Sequence, residues 1–410
     1  MGTQKCYSGY KSYQYLEKGR DYKDFKLAKE IERVEPYLVP LSKSEEKRAE
    51  DLLRECIVIS LHDHPVIFPE DMSELFEYIR QGREFMGYEG LSVSGLDAVF
   101  DALWDGFCFI TSKMGWKWSD VIYDLGMKLC DIAHQNFVIR AEGVADIIEA
   151  HNEGKVALIP YLEASTMIEN EVDRIDILYG LGVRMMGIVY SESNALGSGL
   201  KEDRDGGLTY FGREAVKRMN KLGMAIDISH TGDRTALDVI EESKKPVFLN
   251  HTGARALWNI KFLKPDKVLR ACAEKGGIIG IMGCPKTTAT KKHPEQSIES
   301  YMEHFEYCVE LVGIDHVGFG PDIFFGDHVA LQRILTKFLA LEQGKTEEKE
   351  KVEVEYVKGL ENPSEAFLNI VRWLVKHGYT DQEIEKVLGG NALRTLKEVW
   401  NFFPLDKHKK

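Results

Sequence analysis

Eight short apolar runs separated by longer helical stretches make up most of the chain after residue 55, and this alternation limits the fold more than any other feature. Asp233–Lys244, between the fifth and sixth runs, and Ser297–Val312, between the seventh and eighth, carry apolar residues at helical spacing. Strand and helix repeated eight times predict an α/β fold of the (β/α)8 TIM-barrel type. The runs are Cys56–His62, Gly106–Thr111, Val156–Glu163, Val183–Tyr190, Met224–His230, Pro246–His251, Gly277–Gly283 and His316–Asp322.

A doubly wound open sheet is the competing interpretation of the same alternation. That fold binds nucleotides through a Gly-x-Gly-x-x-Gly turn after its first strand, and the first run here is followed by no such turn. The barrel is therefore the favoured fold. We expect residues 1–55 to form a helical extension outside it, with a helix near Ser42–Arg54. The barrel with its C-terminal helices covers residues 56–402, and residues 403–410 form a polar tail.

Charge and cysteine content restrict the partners and the compartment. The formal net charge of −13 argues against nucleic acid and anionic membrane surfaces as partners. Apolar runs stay shorter than a membrane span, and the first residues lack a signal-peptide core. Seven cysteines without Cys-x-x-Cys spacing suit reduced thiols. We therefore expect a cytoplasmic protein.

Metal ligands recur at the ends of the runs. In barrel enzymes the chemistry lies at the C-terminal ends of the strands, where several side chains converge. His62 and His64 stand two residues apart on the first run, so they point to the same face of a strand. Each donor found at these ends is a good ligand for zinc or a similar divalent ion. The donors are His62, His64, Glu163, His230, His251 and Asp322.

Together these donors predict a site for two divalent metal ions, most readily zinc. His62, His64 and Asp322 would bind one ion, His230 and His251 the other, and Glu163 would bridge them. Taken singly, each residue has a structural explanation, because a histidine that ends a strand is often only hydrogen-bonded. Six coincidences at equivalent positions favour the metal site. The eight other histidines, His328 among them, are assigned no role in it.

The chemistry follows from the ions. Two divalent cations a few ångströms apart can hold a bridging water and bring its pKa near neutrality. The resulting hydroxide attacks a carbonyl carbon, and Asp322 passes the proton to the leaving amine. The predicted reaction is metal-assisted hydrolysis of an amide, with esters and other C–N bonds as alternatives. We therefore predict Asp322 and Glu163 as catalytic residues and a small molecule as substrate.

Several stretches in a fixed order also resemble the membrane (renal) dipeptidase family of zinc peptidases, within the amidohydrolase-like hydrolases. The resemblance runs from about residue 50 to 402. It implies two zinc ions held by His62, Glu163, His230, His251 and Asp322, hydrolysis of dipeptides and a homodimer. The stretches are Gly207–Val216, Met219–Met224, Asp227–His230, Pro246–His251, Ala254–Leu257, Val312–Gly320 with Asp322, Gly378–Thr380 and Leu388–Arg394.

The chain also departs from the family's pattern around the substrate. His64 stands where the family has an aspartate, and Tyr190 stands where it has a substrate-contacting histidine. Ala164–Thr166 replaces a Gly-Gly-His segment after the bridging glutamate. Phe262 aligns with the arginine that holds the substrate carboxylate, and the adjacent Lys261 offers only a point charge. We predict Tyr190 and Lys261 as substrate-binding residues. N-acyl amino acids, lactones or cyclic amides are the alternative substrates, and a non-catalytic metal-binding barrel is the third hypothesis.

Overall fold

Eight parallel strands form the centre of the molecule. The computed structural model describes residues 5–103, 116–331, 333–334 and 356–400. The strands pair in chain order, β1 with β2 and so on to β8, each parallel to the next. They are β1 (Ile59–Asp63), β2 (Ala98–Leu103), β3 (Val156–Leu162), β4 (Met185–Gly187), β5 (Ala225–Asp227), β6 (Phe248–Thr252), β7 (Ile278–Ile281) and β8 (Val317–Phe319).

The last strand returns to the first. The Asp322 amide donates to the carbonyl oxygen of His62 at 3.0 Å, and the His64 amide donates to that of Ile323 at 3.0 Å. These bonds nearly close the sheet into a barrel, so the predicted (β/α)8 fold is confirmed. Alternate strand residues fill the barrel interior with apolar side chains, among them Leu61, Phe100 and Phe248. Because the interior is packed, the polar side chains of the strands gather at its C-terminal rim.

Helices follow most strands and cover the outside of the barrel. Those predicted at Asp233–Lys244 and Ser297–Val312 are confirmed to within two residues. The helices are Lys43–Glu55, Leu75–Arg80, Tyr88–Val93, Trp118–Ile132, Val144–Glu153, Arg174–Gly180, Tyr210–Leu222, Asp233–Glu242, Asp266–Glu274, Ile298–Val312, Pro363–Lys376, Asp381–Glu385 and Asn391–Val399. Val66–Ile67 pairs antiparallel with Phe85–Met86, and Val138–Arg140 lies beside β3. Within the described residues, every helix is too short or too polar to cross a membrane.

The second strand lies where the sequence did not predict it. The predicted run, Gly106–Thr111, falls outside the described residues, and β2 is Ala98–Leu103 instead. A charged residue, Asp101, interrupts the apolar pattern of this strand, and for that reason the sequence pattern did not predict a strand here. The structure neutralises that charge with Lys128, whose ammonium lies 2.7 Å from the Asp101 carboxylate, with both side chains buried. A buried ion pair between distant residues leaves no signal in local periodicity.

Only part of the N-terminal extension is helical. The predicted helix near Ser42–Arg54 is confirmed as Lys43–Glu55, with a capping box between Ser42 and Glu45. Residues 5–42 form turns and isolated bridges, where the sequence predicted helix. Their aromatic side chains pack on the segment that connects β1 to β2. Long-range hydrogen bonds, such as that from the Tyr13 amide to Asp131, take the place of local helical ones.

Asp131 is the main polar anchor of this segment. Its buried carboxylate accepts hydrogen bonds from the Tyr10 hydroxyl at 2.7 Å, the Tyr13 amide at 2.7 Å and the Tyr88 hydroxyl at 3.0 Å. We expect Asp131→Ala to lower the free energy of unfolding by about 3 kcal/mol, because three buried donors lose a charged acceptor. The N-terminal segment should also become sensitive to protease.

A denaturant titration and limited proteolysis measure both effects. Asp24→Ala is the matched control, since Asp24 lies in the N-terminal segment itself and forms an exposed ion pair with Lys18. It should leave both readouts at wild-type values. Equal stability of Asp131→Ala and wild type would show that the segment is held by apolar packing alone.

Candidate metal centre

All six predicted donors converge at the C-terminal end of the barrel. His62 lies in β1 and His64 directly after it, while Glu163 follows β3 and His251 lies in β6. His230 and Asp322 stand three residues beyond β5 and β8, in the loops. The four imidazoles and Glu163 are buried, and the side chain of Asp322 is 16% exposed. Asp322 is therefore the donor that solvent and a substrate can reach.

His62, His64 and Asp322 meet at one point, and the two histidines lie on one face as the His-x-His spacing predicted. The Nε2 atoms of His62 and His64 are 3.3 Å apart. Oδ1 of Asp322 lies 3.4 Å from Nε2 of His62 and 3.3 Å from Nε2 of His64. The Asp63 side chain points elsewhere, accepting the Ser60 hydroxyl and, at 2.9 Å, the Ile323 amide. The prediction that His62 and His64 point to the same face of the strand is confirmed.

Glu163 lies among the other imidazoles. Its Oε1 atom is 2.9 Å from Nε2 of His230, 3.5 Å from Nε2 of His251 and 3.6 Å from Nε2 of His62. The Nε2 atoms of His230 and His251 are themselves 3.0 Å apart. The same carboxylate oxygen therefore touches both groups of histidines, which is the position a bridging ligand needs.

The donor set fits divalent cations. Two triads bring one ligand atom from each residue within 4.8 Å of one another: His62, His64 and Asp322, and His62, Glu163 and His251. Among the described residues, the buried Oε2 atom of Glu163 has no hydrogen-bond partner. A buried polar atom without a partner is costly unless another group satisfies it. Imidazole and carboxylate ligands at this density suit zinc and similar ions.

Neighbouring groups fix which ring nitrogen faces the centre. Nδ1 of His64 lies 2.9 Å from the Ala102 carbonyl oxygen, and Nδ1 of His251 lies 2.6 Å from Oδ1 of Asn250. Because these oxygens only accept hydrogen bonds, Nδ1 carries the proton in each ring and Nε2 presents its lone pair. Asn250 is held in turn by the Ser229 hydroxyl, which donates to the same oxygen at 2.9 Å.

We expect Asn250→Ala to weaken zinc binding by roughly 10- to 100-fold, because the His251 ring loses the partner that orients it. A competitive titration against a zinc-binding dye measures the affinity. Asn220→Ala is the control: Asn220 makes a comparable hydrogen bond to Ser243 far from the centre and should leave the affinity unchanged. An unchanged affinity in Asn250→Ala would mean that His251 does not depend on this partner, or does not ligate.

Burial and charge set the protonation of the donors. Burial raises the pKa of Glu163 to about 7 and lowers the pKa of His230 to about 4. Burial alone would raise the pKa of Asp322, but hydrogen bonds with His62 and His64 hold it well below its ordinary value. Although burial opposes it, the Asp322 carboxylate raises the pKa of His64. Asp322 is thus ionised at neutral pH, and metal binding would displace a proton from Glu163.

The backbone at Asp322 is strained. Its φ of +60° lies in the left-handed region, which few residues other than glycine adopt. Hydrogen bonds on both sides hold the turn, from the Asp322 amide to the His62 carbonyl and from the Ile323 amide to Asp63. Strain that the surrounding structure maintains in this way is common at functional sites, where it aims a side chain.

Aromatic rings border the centre on two sides. Phe324 stacks on the His64 ring with centroids 4.1 Å apart, and Tyr190 stacks on the His230 ring at 4.3 Å. Phe262 meets His230 edge-on at 5.9 Å. The Lys261 ammonium donates to the Glu202 carbonyl oxygen at 3.1 Å. Tyr190 therefore lies against a predicted ligand, and the substrate-binding roles of Tyr190 and Lys261 stay predictions.

Two neighbours of Asp322 were missed from the sequence. The Cys284 thiol hydrogen-bonds with Asp322 and lies 3.6 Å from Nε2 of His328. Burial raises the pKa of Cys284 and lowers the pKa of His328 to about 4, so both are neutral. Cys284 follows the seventh run directly, and its position was the available signal. His328 offered none, because the turn after β8 brings it to the centre.

The model of the membrane dipeptidase family, peptidase family M19, matches residues 47–335. Dipeptidase tcpJ of Claviceps purpurea is 28% identical over 257 residues, which cover 62% of this chain and 53% of that protein. Dipeptidase aclJ of Aspergillus oryzae is 28% identical over 268 residues, covering 64% of this chain and 57% of that protein. The chain thus spans somewhat more than half the length of these two relatives.

Solved structures share the fold. An amidohydrolase from Pseudomonas aeruginosa is 27% identical with a TM-score of 0.70, and the match covers 86% of this chain and 99% of that one. The probable dipeptidase PvdM from the same organism is 19% identical with a TM-score of 0.69, over 88% and 99% of the two chains. At that identity the second likeness concerns the fold alone.

Proposed function

The chain belongs to the membrane dipeptidase family of peptidases, and we propose from this that it is a binuclear metal-dependent hydrolase. It cleaves the amide bond of a dipeptide or a small dipeptide-like substrate. One observation carries the proposal: four imidazoles and two carboxylates from five strand ends converge, each with a ligand atom 2.9 to 3.6 Å from that of at least one other. A structural role for each residue alone would not bring all six together.

Zinc is the metal that the donors favour. His62, His64 and Asp322 would hold one ion, His230 and His251 the other, and Glu163 both, since its Oε1 atom touches both histidine groups. When bound, the ions would supply Lewis-acid polarisation of a substrate carbonyl and acidify a water molecule. His64 is a neutral ligand in its unprotonated form, so it leaves the site with one negative charge fewer than an aspartate would.

Asp322 is the proton carrier in this proposal. Its carboxylate is ionised, partly exposed and aimed at the centre by the strained backbone. It accepts the proton of the attacking water as the new C–O bond forms. It then donates that proton to the amine nitrogen as the C–N bond breaks. Glu163 takes no part in proton transfer, because its role is to hold the two metal positions together.

Tyr190 and Phe262 favour a second candidate within the same chemistry. Both rings contact His230. Tyr190 and Phe262 stand at the positions where the resemblance to the dipeptidase family implies a histidine and an arginine that bind a dipeptide. An N-acyl amino acid, a lactone or a cyclic amide would need those polar groups less. The reaction would remain hydrolysis at the same centre.

A hydrolysis screen of the zinc-replete protein separates the candidates. It compares dipeptides, N-acyl amino acids and lactones, with metal content measured on the same sample. We expect dipeptides or their derivatives to be cleaved with two ions per chain, and all activity to disappear on exhaustive chelation and return with zinc. Full activity after the metal is removed would contradict the proposal. Faster turnover of lactones or N-acyl amino acids would favour the second candidate.

We also propose a cytoplasmic homodimer. In the described part of the chain the cysteines are thiols and form no disulfide with one another, which suits a reducing compartment. The homodimer follows from the family resemblance. Light scattering should give twice the chain mass of 46.7 kDa, and a mass of one chain would contradict it.

A further inference from the structure

The His230 side of the centre is lined by aromatic rings. Tyr190, from the loop after β4, lies parallel to the His230 ring at an interplanar angle of 23°. Phe262, from the loop after β6, meets the same ring at 82°. Phe262 is 36% exposed, which leaves its ring accessible from solvent. The two rings therefore border His230 on two sides.

The loop that carries Phe262 continues this apolar surface. Residues 253–264 connect β6 to the helix Asp266–Glu274. Within them, Trp258 and Ile260 pack on a cluster separate from the main core, formed by Leu263, Met282 and Cys284. Cys284 contacts Asp322. A buried apolar cluster thus connects the loop to the candidate proton carrier.

The same loop offers one spare positive charge, that of the exposed Lys261. It contains three cations, Arg255, Lys261 and Lys264, and all three lie among the described residues. Arg255 pairs with both carboxylate oxygens of Asp233, and Lys261 donates to the Glu202 carbonyl. Lys264 is fully buried and donates to the Thr231 carbonyl. Releasing Arg255 or Lys264 for a ligand would break a contact that the fold uses, whereas the Lys261 ammonium donates to an uncharged oxygen and keeps its charge.

A carboxylate would be poorly accommodated here. The faces of aromatic rings carry partial negative charge, which repels an anion and attracts apolar or cationic groups. Moving an anion from water to such a surface is costly, and the single exposed charge of Lys261 offsets little of that cost because water screens it. An uncharged ring gains buried apolar area instead. The chemistry of the surface therefore selects against a free carboxylate.

We propose that the substrate presents an uncharged, preferably aromatic group to the surface formed by Tyr190 and Phe262, as an amide- or ester-capped dipeptide does. Tyr190 and Phe262 are then the specificity-determining residues on the His230 side. The inference rests on the proposed function, since it describes the substrate of the same hydrolytic centre.

The test uses binding, so that it does not depend on turnover. The probes are two phosphinate dipeptide mimics with a benzyl side chain, identical except that one ends in a carboxylate and the other in a carboxamide. Calorimetric titration of the zinc-replete protein should show the carboxamide binding at least about tenfold more tightly, as expected when an unpaired charge is avoided. Phe262→Arg should abolish or reverse this preference, and Phe262→Leu should retain it.

Equal or tighter binding of the carboxylate by wild type, or binding of neither mimic, would overturn the inference. So would an unchanged preference in Phe262→Arg, because the aromatic surface would then not be the cause. The proposed function is judged separately. If the carboxamide preference is found but no dipeptide amide is hydrolysed, the inference about the Tyr190 and Phe262 surface is supported and the hydrolase proposal fails. If free dipeptides are cleaved and the carboxylate mimic binds better, the hydrolase proposal is supported and the inference about the Tyr190 and Phe262 surface is refuted.

Discussion

Asp322→Asn is expected to lower kcat by roughly 1,000-fold, because positioned general acid–base groups contribute about 10²- to 10⁴-fold to catalysis. Asparagine keeps a ligating oxygen and tolerates the left-handed backbone at φ +60°, so folding and metal content should change little. It cannot carry the proton from water to the leaving amine. The effect therefore separates proton transfer from metal binding.

The measurement is kcat on the best substrate of the hydrolysis screen, together with zinc content. Asp315→Asn is the matched control, since Asp315 lies seven positions earlier in the chain and forms an exposed ion pair with Lys386. Its kcat should equal that of wild type. A kcat of Asp322→Asn within tenfold of wild type would remove Asp322 from proton transfer. Loss of folding is checked by circular dichroism.

Glu163→Gln is expected to abolish turnover because the variant binds less metal. Its Oε1 atom lies within 3.6 Å of three imidazole nitrogens, and replacing it with an amide removes the negative charge between the two metal positions. We expect zinc content to fall from two ions per chain to one or none. Zinc at about 1,000 times its dissociation constant should stabilise wild type by roughly 4 kcal/mol, and this stabilisation should largely disappear in the variant.

Thermal unfolding with and without a chelator measures the difference. Glu365→Gln is the control, because Glu365 is equally buried but accepts hydrogen bonds from Tyr37 and Asn362. It should retain two ions and the full response to chelation. Two ions in Glu163→Gln, with an unchanged response, would show that Glu163 bridges nothing.

The barrel and the six donors were predictable from sequence because both depend on local patterns. Strand ends are marked by apolar runs, and His62 and His64 share a face through the two-residue period of a strand. In a parallel barrel all C-terminal ends meet at one rim, so residues distant in the chain, such as His230 and Asp322, could be brought together without knowledge of any contact.

Features that depend on long-range contacts were not predictable. The charge of Asp101 in β2 is explained only by Lys128, and the path of residues 5–42 only by partners such as Asp131. The stacking of Phe324 on His64 and the support of His251 by Asn250 likewise arise from the packing of loops at the rim. A residue that shapes the site from outside the strand ends carries no periodic signal.

Anomalous diffraction from zinc-soaked crystals tests the central claim, the two-metal centre, most directly. We predict two anomalous peaks at the C-terminal rim, each about 2.0–2.2 Å from its nitrogen and oxygen ligands. One should be bound by His62, His64 and Asp322 and the other by His230 and His251, with Glu163 contacting both. A single peak, a peak away from these six residues, or no peak in protein shown to fold would contradict the account.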